Sequence, residues 1–560
     1  LGFCLHRPSG DVDPITLALG IVLFALLGTA AGVATGLTPG LHVNTVAALV
    51  LAFQTPLLLL AGALFSWASP SPEDLTLLAG ALVVGNVIAH TFLDFIPAIF
   101  LGAPEAETAL SMLPGHRMLL RGRGLEAVHL SAWGSLTAAV LAVGLILPFR
   151  LIMGAPLDGY RDLRPVIPYL LILVAAILIV GESGSVRGGR EELVCRLPEG
   201  ILREMEGVPE ILELTPTEAP GVNEAFLLRG TVEGILGRRL VVTDGNRSVD
   251  VRLDGEPPAS LKGEVLLFVA LSPRGSSFAG FTPKGWAILV FLLAGFLGSL
   301  VLLSPLIAAN WYPLPAFQAD PRTVGFLPLF TGLFALPTLL ISLARTPHIP
   351  PQEMRPRGTN LSRGDQVRAI LGGSLAGAFV AWIPGVTAAV ATVFARLLSG
   401  REGRSRANDE GFILSLSCVN TSTALFTIVA LFVILRARSG GAAALQTLGG
   451  DLVGAWDPLL AFPPALAWFL LAAMVTAVAA FFLTRGFGGL FARLAAAFPY
   501  RKMVVGVLLF LTGLIFLLAG AMGLVVAAFA TLLGLLPPLV GVRRVHLMGS
   551  LLVPLILLLT

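Results

Sequence analysis

The sequence predicts an all-α polytopic membrane protein with inverted-topology repeats, paired broken or re-entrant helical hairpins, and a small soluble β insert. Three observations predict it. The 560 residues are 56% hydrophobic and only 13% charged, too apolar for a soluble globular chain. Apolar runs long enough to cross a hydrocarbon core, about 20 residues for about 30 Å, recur along nearly the whole length. Finally, one stretch occurs twice. Residues 28–49 read GTAAGVATGLTPGLHVNTVAAL and residues 373–393 read GSLAGAFVAWIPGVTAAVATV. Laying Pro39 on Pro384 puts Ala31-Gly32 on Ala376-Gly377 and Gly40 on Gly385. In both, helix-like sequence meets Pro-Gly, where a helix must break, and resumes. Broken helices at equivalent places in two halves mark a transporter's binding site.

In chain order, residues 1–182 read as the first membrane repeat. The chain begins with Leu, which points to a trimmed start, and residues 6–13 carry no signal-peptide pattern. Residues 15–67, interrupted at Thr38-Pro39-Gly40, read as two segments that leave the membrane on the side they entered. A crossing at 75–101 follows and carries Asn86, His90 and Asp94. A charged loop at 103–126 has enough apolar residues to lie on the membrane surface, and crossings at 128–149 and 166–180 complete the half. Residues 183–283 are charged and punctuated by Pro and Gly, a soluble insert of roughly 100 residues. Strands are expected there at 226–236, 239–243, 248–253 and 264–271, with Asp244-Gly245 as a hairpin signal. Residues 284–560 form the second repeat and C-terminal helices. Crossings are expected at 286–309 and 325–344, the second broken hairpin at 367–398, and further crossings at 411–435, 458–483 and 503–523. Residues 524–560 are apolar but cut by Pro537-Pro538 and Arg543-Arg544, which leaves their crossings uncounted.

Five expected crossings separate the two hairpins, an odd number, so the second hairpin enters from the side opposite the first. Charge gives an independent test. Loops at 103–126, 345–363, 400–410, 485–502 and 543–544 hold most of the loop Arg and Lys; those near Ser69, Asp158, Asp320 and Gly450 hold few. The positive-inside rule makes the rich side cytoplasmic, with the insert. Arg150, Arg161 and Arg164 are a partial exception. The three cysteines, Cys4, Cys195 and Cys418, are scattered, which suits free thiols rather than a disulfide framework or a Cys-based metal site.

A helix starting inside the bilayer presents unbonded N–H groups and the positive end of its dipole, which favours an anion. Two such starts meeting near the midplane would cage a carboxylate or phosphate. Thr38, Pro39, Gly40, His42, Asn44, Thr45, Pro384, Gly385 and Thr387 are the substrate-binding candidates. Alternatively, Pro-Gly merely kinks two packed helices. A second polar cluster, Asn86 with Asn420, Thr421, Ser422 and Thr423, reads either as ligands for substrate or a coupling cation such as Na⁺, or as interhelical hydrogen bonding. His90 lies one turn before Asp94 on the same face, which allows proton coupling; an Asp94 nearer the helix end, facing water, is the other reading. No catalytic constellation, metal site or cofactor is expected, Na⁺ as coupling ion apart.

The pattern GLTPGLHVNTVAAL with AGAFVAWIPGVTAAVATV, plus the loop LSMLPGHRMLLRGRGLEAV, resembles the TctA family, the large membrane permease of tripartite tricarboxylate transporters, particularly its archaeal branch. The resemblance covers most of the membrane part and not the insert. It implies a secondary carrier in the cell membrane for small organic anions such as di- and tricarboxylates, driven by Na⁺ or H⁺ through an elevator-like movement. It places substrate loops at 38–45 and 383–388, and implies a small membrane subunit and an extracytoplasmic binding protein; a homo-oligomer is also admitted. Within the insert, residues 226–253 resemble the opening strands of an OB-fold barrel. Phe226 and Phe268 are sparse aromatics for a nucleic-acid groove, so a structural or regulatory domain is expected and nucleic acid is not. The rival functions are a carrier of polyprenyl-phosphate lipid and an intramembrane phosphatase-like enzyme. The latter needs Arg and carboxylates beside the Pro-Gly turns, where LHVNT and VTAAV stand instead. No Walker-type motif supports a pump.

Overall fold

Asp13 starts the first long helix. Its carboxylate accepts from the backbone N–H of Ile15 and Thr16 at 3.0 and 3.1 Å, and Pro14 supplies a ready φ at the first position, giving α1 at Pro14–Leu37. In the computed structural model the described residues are 12–38, 54–101, 114–115, 118–119, 121–182, 191–195, 225–236, 239–243, 248–253, 263–273, 282–304, 321–345, 350–355, 358–383, 388, 391–392, 406–497 and 500–560. Among them, nine stretches are long and apolar enough to cross a membrane. Two compact units are present: residues 1–178, 290–535 and 544–560, and residues 179–289 with 536–543.

In the first unit, α2 (Gln54–Phe65) brings the Phe65 ring 6.1 Å from that of Phe24 in the first half of α1, so the chain comes back toward the start of α1. A capping box between Ser71 and Asp74 then opens α3, Pro72–Leu93. Helices α1 and α3 run parallel and nearly touch. A Cβ would meet the carbonyl oxygen of Leu82 at 2.1 Å from Gly28, of Asn86 at 2.7 Å from Gly32, and of His90 at 3.1 Å from Gly36. α1 ends beside His90 and Leu93, while its neighbour continues through α4, Phe95–Phe100. The expected single crossing is therefore jointed at Asp94, which caps α3. Pro97 explains the joint, since its ring clashes with the carbonyl four residues earlier.

The same construction recurs with opposite direction. α5 spans Gly124–Met153; after it come a short α6 (Gly159–Leu163) and α7 (Ile167–Val180). Later, α11 (Arg363–Val380) runs parallel to α12 (Arg406–Ile434). A Cβ on Gly373 would lie 2.6 Å from the Ser415 carbonyl oxygen and one on Gly377 2.5 Å from that of Val419. Thr91 facing Thr421 and Asp94 facing Asn420 make α3 and α12 antiparallel. α13 (Gly440–Gly449) and α14 (Pro464–Ala497) pack against α3, and α14 also against α1 and α5. The loop expected at 485–502 is thus helical as far as Ala497; Ala, Leu and Arg in FARLAAA carry the helix past its apolar span.

A further set of helices comprises α8 (Pro283–Leu303), α9 (Pro321–Phe330), a π-helical turn at Thr331–Ala335, α10 (Leu336–Arg345), α15 (Tyr500–Val540) and α16 (Gly549–Leu559). α15 is not one rod. A Cβ on Gly523 would sit 3.4 Å from the Ile515 carbonyl oxygen, whereas eight residues of straight helix rise about 12 Å. The chain folds back at Gly520, whose φ of 65° and ψ of −162° belong to glycine alone. The first arm, up to this turn, falls on the expected crossing at 503–523, and the second arm runs through Pro537 and Pro538 instead of stopping there. Gly520→Ala is expected to cost about 1–3 kcal/mol, seen as a lower unfolding midpoint in detergent. Gly513→Ala, a helical site with open space around it, should be neutral or stabilising.

In the second unit five strands close a barrel in the order β1-β4-β3-β2-β5. They are β1 (Glu191–Cys195), β2 (Ala225–Leu236), β3 (Arg239–Thr243), β4 (Ser248–Leu253) and β5 (Gly263–Pro273). β1 pairs parallel with β4 and antiparallel with β5. The sequence reading missed β1, a five-residue strand whose partners lie far along the chain. Asp244-Gly245 lies outside the described residues.

Candidate functional site

The candidate site sits where the two helix pairs cross. On the last turns of α1, the Thr35 hydroxyl lies 3.4 Å from Asn86 Oδ1, to which it donates, and 3.2 Å from His90 Nδ1. One turn on, Asp94 Oδ2 accepts from Asn420 Nδ2 at 3.0 Å, and the same amide reaches the Thr91 carbonyl at 3.5 Å. The Thr91 and Thr421 hydroxyls are 3.4 Å apart. On the far side, Ser422 donates to the Ser374 carbonyl at 2.8 Å and Thr423 to that of Gly377 at 3.3 Å. Asn86, His90, Asp94, Asn420, Thr421 and Ser422 are all buried.

Of the second expected cluster, Asp94 bonds Asn420 and Thr421 faces Thr91, Asn86 and His90 meet at Thr35, and Ser422 and Thr423 bond the α11 backbone; Asp94 is buried. Thr35 is an addition that the sequence reading did not single out, because one Thr in a small-residue helix carries no signal of its partner. Of the substrate candidates only Thr38 is described; its hydroxyl donates to Ala34 O at 2.7 Å. Pro39, Gly40, His42, Asn44, Thr45, Pro384, Gly385 and Thr387 lie outside the described residues. Polar side chains are costly in hydrocarbon and persist where they face one another or a wet path. This arrangement offers carboxylate, amide, hydroxyl and imidazole groups within one stretch. Among the described residues no three His, Cys, Asp or Glu side chains group to hold a metal.

One end of the crossing is clamped by charge. Arg123, just before α5, donates to Glu126 at 2.9 and 2.6 Å and to Glu410 at 2.6 Å. Glu410, at the head of α12, also accepts from Thr359 Oγ1 at 2.8 Å and from the Asn360 amide and backbone N–H, each at 2.6 Å. The carboxylate of Glu126, and after it that of Glu410, raises the hold of Arg123 on its proton. Gln352 accepts from Gly124 N at 2.8 Å and donates to Leu119 O at 3.0 Å. Segments from the three arginine-rich regions at 103–126, 345–363 and 400–410 thus meet. Gly488 of α14 packs on Val128 at this same end. At the other end Arg150, the sequence exception, is buried; it donates to the carbonyls of Ala155 and Trp456 and lies 5.5 Å from the Trp456 ring centroid. Cys418 is a free, buried thiol that donates to Gly134 O at 3.3 Å.

These features define a multi-pass membrane protein whose central polar contacts join two oppositely directed helix pairs. The chain belongs to the tripartite tricarboxylate transporter TctA family, whose model matches residues 22–190 and 265–549 and passes over most of the barrel. It is similar to an uncharacterized protein of Methanocaldococcus jannaschii, 33% identical over 152 residues, 27% of this chain and 34% of that protein. The chain thus spans about a third of the length of the curated relative it matches. No solved structure matches.

Proposed function

We propose that the chain is a secondary permease of the cell membrane for small organic anions such as di- and tricarboxylates, coupled to Na⁺ or H⁺. The observation that carries this reading is the Asp94–Asn420 bond at the crossing of two antiparallel helix pairs, in a chain of this family. The pairs read as inverted repeats, each with a re-entrant hairpin. The ladder of Gly28, Gly32 and Gly36, spaced by four residues against carbonyls of α3, has its counterpart in Gly373 and Gly377 against α12, and both α1 and α11 stop beside the polar cluster. The hairpin tips hold the anion, and Asn86, His90, Asp94 and Asn420 to Thr423 serve the coupling ion. Mutual packing of α1, α3, α5, α11, α12 and α14 supports a hairpin-bearing unit that moves as a body, elevator-fashion. The clamped, Arg-rich end is cytoplasmic. The five-stranded barrel is an OB-like module with a structural or regulatory role. The family's tripartite name supports a small membrane subunit and an extracytoplasmic binding protein as partners.

The test is uptake of radiolabelled citrate and succinate into proteoliposomes under an imposed Na⁺ or H⁺ gradient. Accumulation that follows one gradient is expected, and Asn420→Ala should cut the gradient-driven part at least tenfold, about 1.4 kcal/mol. Absence of uptake under either gradient would contradict the reading, as would equal rates with and without one.

A further inference from the structure

Trp382 is wholly buried, and its indole Nε1–H has no hydrogen-bond partner among the described residues. An indole nitrogen can only donate. Buried Trp ordinarily finds an acceptor, and an orphaned donor calls for an explanation in each case. Its place suggests one. α11 ends at Val380, the backbone N–H groups of Trp382 and Ile383 close back on Phe379 O and Val380 O at 3.3 and 2.9 Å, and Pro384-Gly385 follow at once. The indole is thus the last aromatic side chain before Pro384-Gly385. One turn earlier the helix is held on α12, with Gly377 O accepting from Thr423. Of the hydroxyls nearby, those of Ser422 and Thr423 both donate to α11 carbonyls. Among the described residues beyond Gly377 in this segment, Trp382 carries a buried side-chain donor without a partner.

Resting on the proposed function, we infer that Trp382 donates its indole N–H to a carboxylate oxygen of the transported anion and so helps set which anions are held. A hydrogen bond from a neutral donor to a carboxylate is charge-assisted, yet it leaves no fixed positive charge behind. That suits a carrier, which must release what it binds. The bulky ring also fixes how far the acceptor oxygen stands from the α11 backbone.

The experiment replaces Trp382 in the full chain with 3-benzothienylalanine, which keeps the shape and puts sulfur where the N–H was, alongside Trp382→Phe. Citrate uptake in proteoliposomes and the unfolding midpoint without citrate are measured for each. The expected result for the isostere is a half-saturation concentration raised about tenfold to a hundredfold, with maximal rate and midpoint unchanged. An unchanged half-saturation concentration overturns the inference, as does an equal loss of midpoint, which marks a structural role. If Trp382→Phe does not fold, the isostere still decides. Failure of the wild-type chain to take up citrate or succinate would instead overturn the transport reading, and this inference with it.

Discussion

Arg123→Ala should cost about 3–5 kcal/mol of stability, because it strands two buried carboxylates that share one guanidinium. The Arg123 side chain is 13% exposed, Glu126 5% and Glu410 0%. Glu410 would keep its bonds to Thr359 and Asn360 but lose its counter-charge. Three segments far apart in sequence, the start of α5, residues 359–360 and the head of α12, would lose their common anchor. The neighbouring pair Arg121–Asp409 supplies the control. Arg121 is 41% exposed there, so Arg121→Ala should cost at most about 1 kcal/mol. Denaturation in detergent measures both. A double-mutant cycle with Glu410→Ala should show strong non-additivity, since the second substitution removes the charge that the first left unpaired. Additive losses would mean that the clamp is not one unit.

Gly28→Ala and Gly377→Ala should each disrupt a helix pair, with a cost of about 1–3 kcal/mol or more from overpacking. The added methyl at Gly28 would stand 2.1 Å from a backbone oxygen and at Gly377 2.5 Å from another, so no rotamer change relieves either clash. The helices must separate, and Thr35 and Thr423 then lose their reach to the neighbouring helices. Gly372→Ala, with nothing within 4 Å of its Cβ, should be tolerated. Expression, unfolding midpoint and citrate uptake, compared across the three variants, check this. Equal behaviour would remove the close approach as the reason for the small-residue stripe.

What the sequence made legible follows from how local each signal is. Apolar runs and alternating strands announce themselves, so the existence of most long helices and the bounds of β2 to β5 were readable, while the ends of α14 and α15 were not. Asn86, Asp94 and Asn420 stood out because such residues are rare in apolar segments. Pairings across hundreds of residues left no local trace: Glu410 looked like a charged turn, and its bond to Arg123 depends on the packing of α5 against α12. The turn at Gly520 was hidden for another reason. Its flanks are uninterruptedly apolar, and glycine is common in membrane helices, so only the backbone angles reveal the fold-back. Whether Asp94 stood within a crossing or nearer a helix end was open in the sequence; the joint before Pro97 makes it the cap of α3, yet buried.

The most direct test of two interrupted segments meeting inside the bilayer is the distance between spin labels at Thr38→Cys and Ile383→Cys, measured by pulsed electron resonance in nanodiscs. α1 ends beside His90 and Leu93, α11 ends close to Thr423, and Asp94 bonds Asn420. The labels should therefore fall within about 20 Å of each other, well under the hydrocarbon thickness of about 30 Å. A distance of about 30 Å or more, placing the two ends at opposite faces of the membrane, would contradict the account.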